Sequence, residues 1–426
     1  MRVPAHRPPP PASPPPGPDA GYHLRHDGDA EATGGGYDLG RHGDAEATGG
    51  GYDLRYHGDA EATGGGYDLR HHGDAEATGG LLDLAINVRL PAPPPWLRER
   101  LAAVLDTLGR YPDQSAARAA VARRHGRRDD EVLPTAGAAE AFVLLARTLR
   151  PVRAVCVHPS FTEPEAVLRA AGHQVHRVVL APPYRLDAGC IPDAADLVVL
   201  GNPTNPTGVL HDAAAVAALA RPGRTLVVDE AFADTVPGER GSLADRRDLP
   251  GLLVVRSLTK TWGLAGLRVG YLLGAPDLLA RLAAAQPSWA VSTPALVALE
   301  ACSTPAARAE TEAIARTLAG HRERLAAALD ALPGVRVAAA SAASYLLLEV
   351  LDGEQVRRRL RAAGVAVRRG DTFPGLTSQH IRIAVRDEAD NARTVAAFAA
   401  VLDGHRPSGA YPHERPCPHE RQGGRS

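Results

Sequence analysis

Apolar positions between residues 150 and 275 concentrate in short runs, separated by Ala- and Leu-rich stretches with helical spacing. The runs are 154–158, 175–180, 197–200, 226–229, 252–256 and 269–273. Each is rich in Val and Leu and too short for a helix, so each is read as a strand buried on both faces. The stretches 138–149, 163–171, 212–220 and 276–285 are read as helices. Strands alternating with helices predict an α/β fold, a mostly parallel sheet covered on both sides. A long helical stretch at 292–331 then leads to strands near 335–339, 344–350, 365–369 and 380–385. With helices near 353–363 and 387–402, this second set predicts a smaller α+β domain.

Upstream the pattern vanishes. Residues 1–20 are Pro-rich, and Gly28-Asp-Ala-Glu-Ala-Thr-Gly-Gly35 recurs from Gly43, Gly58 and Gly73. Each unit offers one Leu and one or two Tyr as sizeable apolar residues, too little for a core, and solenoid units are usually longer. The last copy runs in register into Leu82-Asp83-Leu84, which matches the Tyr-Asp-Leu joints of the earlier units. The repeat therefore reads as a duplication of the segment leading into the globular part. A binding tail, or a metal site through His42, His57 and His72, is the alternative use.

Charge changes the picture little. A net charge of −1 gives no reason to expect nucleic acid or a membrane surface as partner. Cys156, Cys190, Cys302 and Cys417 show no metal-ligand spacing. No apolar run approaches membrane-span length and the first residues lack an apolar signal core, so a reduced, cytoplasmic protein is expected. Composition adds one oddity: of 48 Lys and Arg residues only Lys260 is lysine. A genome bias that swaps lysine for arginine spares positions needing a neutral amine, because a guanidinium stays protonated. Lys260 is thus a candidate nucleophile, with a chance surface lysine as the plain alternative.

Ligands of open parallel sheets bind at the carboxyl ends of the strands, and the chemistry-bearing residues fall there. Thr135-Ala-Gly137-Ala138-Ala139 opens a helix whose N-terminal amides suit an anion. Phe161 follows a strand and could stack on a ring or simply pack. Gly201-Asn-Pro-Thr-Asn205-Pro-Thr-Gly208 is a doubled Asn-Pro loop in which Asn205 can donate to a ligand oxygen. Asp229 ends a strand, where a carboxylate needs a cationic partner. Ser257 and Arg268 flank Lys260 and could share a phosphate, the arginine as a two-pronged donor.

In order and spacing this set, with Asp229-Glu230-Ala231-Phe232 and Ser257-Leu-Thr-Lys260, resembles the fold type I pyridoxal 5′-phosphate (PLP) enzymes of the class I/II aminotransferase family. The resemblance covers about residues 72–403. It implies that Lys260 forms a Schiff base with PLP, that Asp229 pairs with the pyridine nitrogen, and that Asn205 bonds the phenolic oxygen. It implies Phe161 stacked on the ring, with Gly137, Ala138, Ala139, Ser257 and Arg268 around the phosphate. Tyr111 would reach a phosphate across a homodimer interface, and Arg382 would bind the substrate carboxylate. Many members carry tyrosine where Phe232 stands. The implied division is a disordered extension (1–71), a segment shared by the small domain and the dimer interface (72–130), a large PLP-binding domain (131–300), a small domain (301–403) and a disordered tail (404–426).

Several segments look closest to the L-threonine-O-3-phosphate decarboxylases of cobalamin biosynthesis, relatives of the histidinol-phosphate aminotransferases. These include His72-Gly73, Leu82-Asp83 followed by Asn87, Tyr345-Leu-Leu-Leu348, Phe373-Pro-Gly-Leu376 and Arg382-Ile-Ala-Val-Arg386. By that resemblance His72 and Asn87 bind a substrate phosphate, and Arg386 is a second candidate for an anionic substrate. Val88-Arg89-Leu90 stands where the decarboxylase pattern after the asparagine is Ile-Asn-Pro. The expectation is a threonine-phosphate-type decarboxylase, with an aminotransferase as the alternative and a non-catalytic scaffold carrying a repeat tail as the remote one.

Overall fold

A computed structural model of the chain describes residues 67–77 and 79–403. The disorder expected for 1–66 and 404–426, and a metal site using His42 and His57, lie outside the described residues. Residues 67–71, expected to belong to the disordered extension, are packed. The Leu69 carbonyl accepts from the Thr162 hydroxyl at 2.6 Å and the His71 carbonyl from Arg368 at 2.8 Å. These partners lie far along the chain, so a local reading of the repeat could not find them. Residues 67–77 form a strap, with one 3-10 turn at Gly73–Ala75.

The strap leads into β1 (Leu82–Asp83), α1 (Pro95–Ala103) and α2 (Ser115–His125). The large domain follows as β2 (Val132–Thr135), α3 (Gly137–Thr148), β3 (Ala154–His158), α4 (Glu163–Ala170), β4 (Val175–Val179), β5 (Leu197–Gly201), α5 (Ala213–Ala217), β6 (Thr225–Asp229), β7 (Leu252–Ser257), β8 (Gly270–Gly274) and α6 (Pro276–Ala284). Seven strands form one sheet in the order β2-β8-β7-β6-β5-β3-β4. The pairs from β7 through β4 are parallel, and β8 is antiparallel to both its neighbours. Alternate residues of a buried strand point to opposite faces, and two apolar cores result. Val155, Val198, Val228 and Val254 pack on one side, Cys156, Val199, Val227 and Val255 on the other.

The stretch expected as one helix at 292–331 is two, α7 (Thr293–Cys302) and α8 (Pro305–Asp330). Thr304 is the reason. Its hydroxyl accepts from Ala307 N–H at 3.3 Å, and Pro305 behind it suits a first helical position, where no N–H is needed. The small domain continues with β9 (Val335–Val337), β10 (Tyr345–Val350), α9 (Gly353–Ala362), β11 (Val365–Ala366), β12 (Arg368–Arg369), β13 (His380–Ala384) and α10 (Glu388–Asp403). The strand expected at 365–369 divides, β11 pairing with β1 and β12 with β13. Among the described residues no helix is long and apolar enough to cross a membrane.

Candidate active site

A cavity of about 460 Å³ opens where the carboxyl ends of β5, β6 and β7 meet the small domain and the strap. Chain topology delivers its residues from several separate segments. The N-terminus of α3 brings Ala138 and Ala139, the turn after β3 brings Phe161, and the loop after β5 brings Asn205. Asp229 ends β6, while Ser257 and Lys260 follow β7 and Arg268 precedes β8. His72, Asn87 and Arg382 close the other side.

Enclosure by protein, reinforced by the positive charges of Arg382 and Arg268, pulls the Lys260 ammonium down to about 8. Enclosure pushes Asp229 up to about 6, although Ala231 N–H donates to its carboxylate at 3.0 Å. The aspartate therefore lacks a cation strong enough to offset its desolvation. Arg382 donates to the Asn205 side-chain oxygen at 2.7 Å and to the Ala85 carbonyl. A guanidinium only donates, so it fixes the Asn205 amide with its oxygen toward Arg382. Asn202 braces the same loop, donating to the Gly241 carbonyl at 3.0 Å and accepting from His211 N–H at 2.8 Å.

The anion-binding corner is built by close approach. Gly137 has φ +78°, and a Cβ there would stand 2.8 Å from the Arg268 guanidinium. Ser257 shares a 2.8 Å hydroxyl contact with Thr259. Both side-chain atoms of buried Asn87 and the Arg382 Nε lack hydrogen-bond partners. Unpartnered buried polar atoms around a cavity with a cradle only glycine permits fit a polar, anionic ligand. The donor set suits pyridoxal phosphate: an amine of lowered basicity, a carboxylate wanting a cation, an arginine beside helix amides and the ring of Phe161.

Two expected residues stand elsewhere. Arg386 does not line this cavity. Its guanidinium is spent on the carbonyls of Asp83, Ile86 and Val88 at 2.6–3.0 Å, so it anchors the segment that carries Asn87. Tyr111 is 75% exposed and stacks on Trp289 at 4.2 Å, away from the cavity of its own chain. Phe232 packs edge-on against Tyr345 at 4.9 Å, with Lys260 Nζ 5.7 Å from its ring centre. Sequence reasoning missed Arg368, which lines the cavity from β12. It donates to the His71 carbonyl and the Thr372 hydroxyl, and burial lowers it to about 10. An arginine closing the apolar run Val365-Ala-Val367 was the available signal.

Comparison with known proteins agrees with this geometry. The family described as aminotransferase class I and II matches residues 80–398. A histidinol-phosphate aminotransferase of Mycobacterium tuberculosis is 54% identical over 309 residues, covering 72% of this chain and 84% of that protein. The threonine-phosphate decarboxylase of Salmonella typhimurium is 33% identical over 340 residues, covering 76% of this chain and 92% of that protein. The crystal structure of the histidinol-phosphate aminotransferase from Clostridium acetobutylicum shares the fold, with a TM-score of 0.71 at 24% identity over 76% of this chain and 100% of that one. Matched over most of its globular part by both sequence and fold, the chain belongs to the class I and II aminotransferases, PLP-dependent enzymes of fold type I.

Proposed function

We propose that this enzyme is an aminotransferase of the histidinol-phosphate type, moving the amino group of a phosphate-bearing amine. The decarboxylase expected from short motifs is the second reading. The 54% identity to a histidinol-phosphate aminotransferase, against 33% to a threonine-phosphate decarboxylase, carries the preference. The cavity supports an anionic substrate, since Arg368 and Arg382 both line it and Asn87 has unspent hydrogen-bonding capacity.

PLP, when bound, supplies an aldehyde for the substrate amine and an electron-poor ring that accepts electrons from a bond broken at Cα. Asp229 would hold the ring nitrogen, Phe161 the ring face, and Asn205 the phenolic oxygen through its N–H₂. Ser257, Arg268 and the amides of Ala138 and Ala139 would hold the cofactor phosphate, with Gly137 leaving room for the arginine. His72 and Asn87 would bind the substrate phosphate and Arg382 a carboxylate. The Lys260 amine, once displaced by the substrate, would take the Cα proton as a general base.

Histidinol phosphate and O-phosphothreonine separate the two readings. With histidinol phosphate, single-turnover spectra should show conversion to the pyridoxamine form, with one keto product per site. Release of carbon dioxide from O-phosphothreonine, without that conversion, would sink the aminotransferase reading in favour of the decarboxylase.

We also propose a homodimer in which Tyr111 completes the partner's phosphate site. Leu105, Leu108, Tyr111 and Trp289 are each at least half exposed, an apolar surface that a second copy would cover. Mass measurement in solution should give twice the chain mass, and Tyr111→Phe should weaken PLP retention. A monomer that holds PLP tightly would contradict the shared site.

A further inference from the structure

Three carboxylates line the active-site cavity: Asp74, Glu163 and Asp229. Asp74 is exposed to water, and Asp229 has a partner in the ring nitrogen of PLP. Glu163 has neither excuse. A bare carboxylate on the wall of a cavity for an anionic substrate would repel that substrate. Glu163 opens α4 directly after Phe161-Thr162, and its carboxylate lies 3.4 Å from His72 Nε2.

The strap and the start of α4 meet at two points. The Thr162 hydroxyl donates to the Leu69 carbonyl at 2.6 Å, and three residues further along the strap His72 meets Glu163. The His72 ring also packs on Phe161, with centroids 5.6 Å apart. Next to it, Gly73 passes so close to Ala85 that a Cβ would overlap the Ala85 carbonyl oxygen. The histidine is thus held between the two domains. With Nε2 turned to Glu163, Nδ1 is the ring nitrogen left for a ligand. The hydrogen bond with His72 holds the Glu163 carboxyl below the usual carboxylate range, against the opposing pull of partial burial and with help from the charge of Arg70. The first turn of a helix favours the same negative charge.

We propose that Glu163 is a positioning residue for substrate binding: paired with Nε2, it holds His72 as an imidazolium whose Nδ1–H meets the substrate phosphate. The inference rests on the reading of the substrate as a phosphate-bearing amine. A carboxylate at one ring nitrogen and a phosphate at the other each favour the protonated ring, so positive charge sits between two anions. A carboxylate that would repel the substrate instead strengthens a charge-assisted hydrogen bond to it. The phosphate is held alike before and during the reaction, so the contribution falls on KM rather than on kcat.

Propyl phosphate, which carries the phosphate and no amine, tests this by calorimetry on the PLP-loaded full chain, whichever reaction follows. His72→Gln keeps an amide for Glu163 and removes Nδ1. It should weaken binding about tenfold, the scale of one charge-assisted hydrogen bond. Glu163→Gln keeps the shape and removes the charge. It should weaken binding by a similar factor, and the double variant should bind no more weakly than His72→Gln alone. In Glu163→Gln, KM should rise in parallel for whichever of histidinol phosphate and O-phosphothreonine turns over, with kcat within about twofold. Amide exchange of residues 67–77 should be unchanged by Glu163→Gln. Faster exchange there would make the pair a fastening of the strap and overturn the proposal. Unchanged binding in Glu163→Gln, or losses that add in the double variant, would overturn it while leaving the substrate reading intact. A His72→Gln chain that binds propyl phosphate as tightly as the unaltered one would remove His72 from the phosphate site, and the proposal with it.

Discussion

Replacing Lys260 with alanine is expected to lower turnover by about a thousandfold or more, the scale of losing a positioned acid–base group and its covalent role together. No other residue lining the cavity offers an amine, and the imidazoles of His71 and His72 cannot form a stable imine with an aldehyde. Arg268, Arg368 and Arg382 stay protonated, and Lys260 is the only lysine of the chain. The environment prepares this amine: enclosure and two neighbouring guanidiniums bring it from 10.5 to about 8, so a useful fraction is neutral near pH 7. Apoprotein should therefore react with PLP at a rate that rises with pH and levels off above about 8.

The sign on stability is opposite to that of an ordinary salt bridge. Lys260 has a folded-state value below its unfolded one, so between about 8 and 10.5 the unfolded chain binds the extra proton. Lysine at this position therefore weakens the fold at and below pH 8 and stops doing so above about 10.5. Apoprotein carrying Lys260→Met should unfold at no lower denaturant concentration than the unaltered chain at pH 7. A variant that keeps a tenth of wild-type turnover would show that another group serves as the amine.

Much of this arrangement was legible because its signals are local. Strands β3, β5, β6 and β7 are built around short apolar runs, and Asn205, Asp229 and Lys260 follow or end three of them. Strand β2 was not legible, since Pro134 interrupts Val132-Leu-Pro-Thr135. The residue is tolerated because β2 is the edge of the sheet, a fact of topology rather than of local sequence. Arg386 misled for a related reason. An arginine near an anion site and one that binds three main-chain carbonyls have the same local sequence, and only the path of residues 83–88 distinguishes them. Arg368 went unseen because its neighbour Arg369 shares its chemistry. Their alternation in β12 turns Arg368 inward and leaves Arg369 paired with Asp371.

The same dependence on distant partners makes Arg256 the residue whose loss should most damage the fold. Arg256→Met is expected to cost about 3–5 kcal/mol of stability at pH 8, the scale for removing one partner of a buried charge cluster. Arg256 is 1% exposed and donates to Glu230 at 3.0 Å, Asp234 at 3.2 Å and Glu239 at 2.6 Å. Among the described residues, Arg124, 2.6 Å from Glu239, would remain as the one cation hydrogen-bonded to the three carboxylates, with Arg127 acting on Glu230 only from farther away. Burial already pushes Glu230 and Asp234 above the usual carboxylate range with Arg256 present, and its removal would push them further. Carboxylates with raised folded values take up protons on folding, so their penalty appears as pH rises and is relieved as pH falls. Denaturant unfolding at pH 8 and pH 5 should therefore show a larger deficit at pH 8. An equal deficit at both would assign the loss to packing rather than charge. The damage should also reach the cofactor, because Glu230 follows Asp229 at the end of β6 and Arg256 precedes Ser257 at the end of β7. The ion cluster ties together the two strand ends that carry the carboxylate and the phosphate donor, so Arg256→Met should release PLP more readily even under conditions where the chain stays folded.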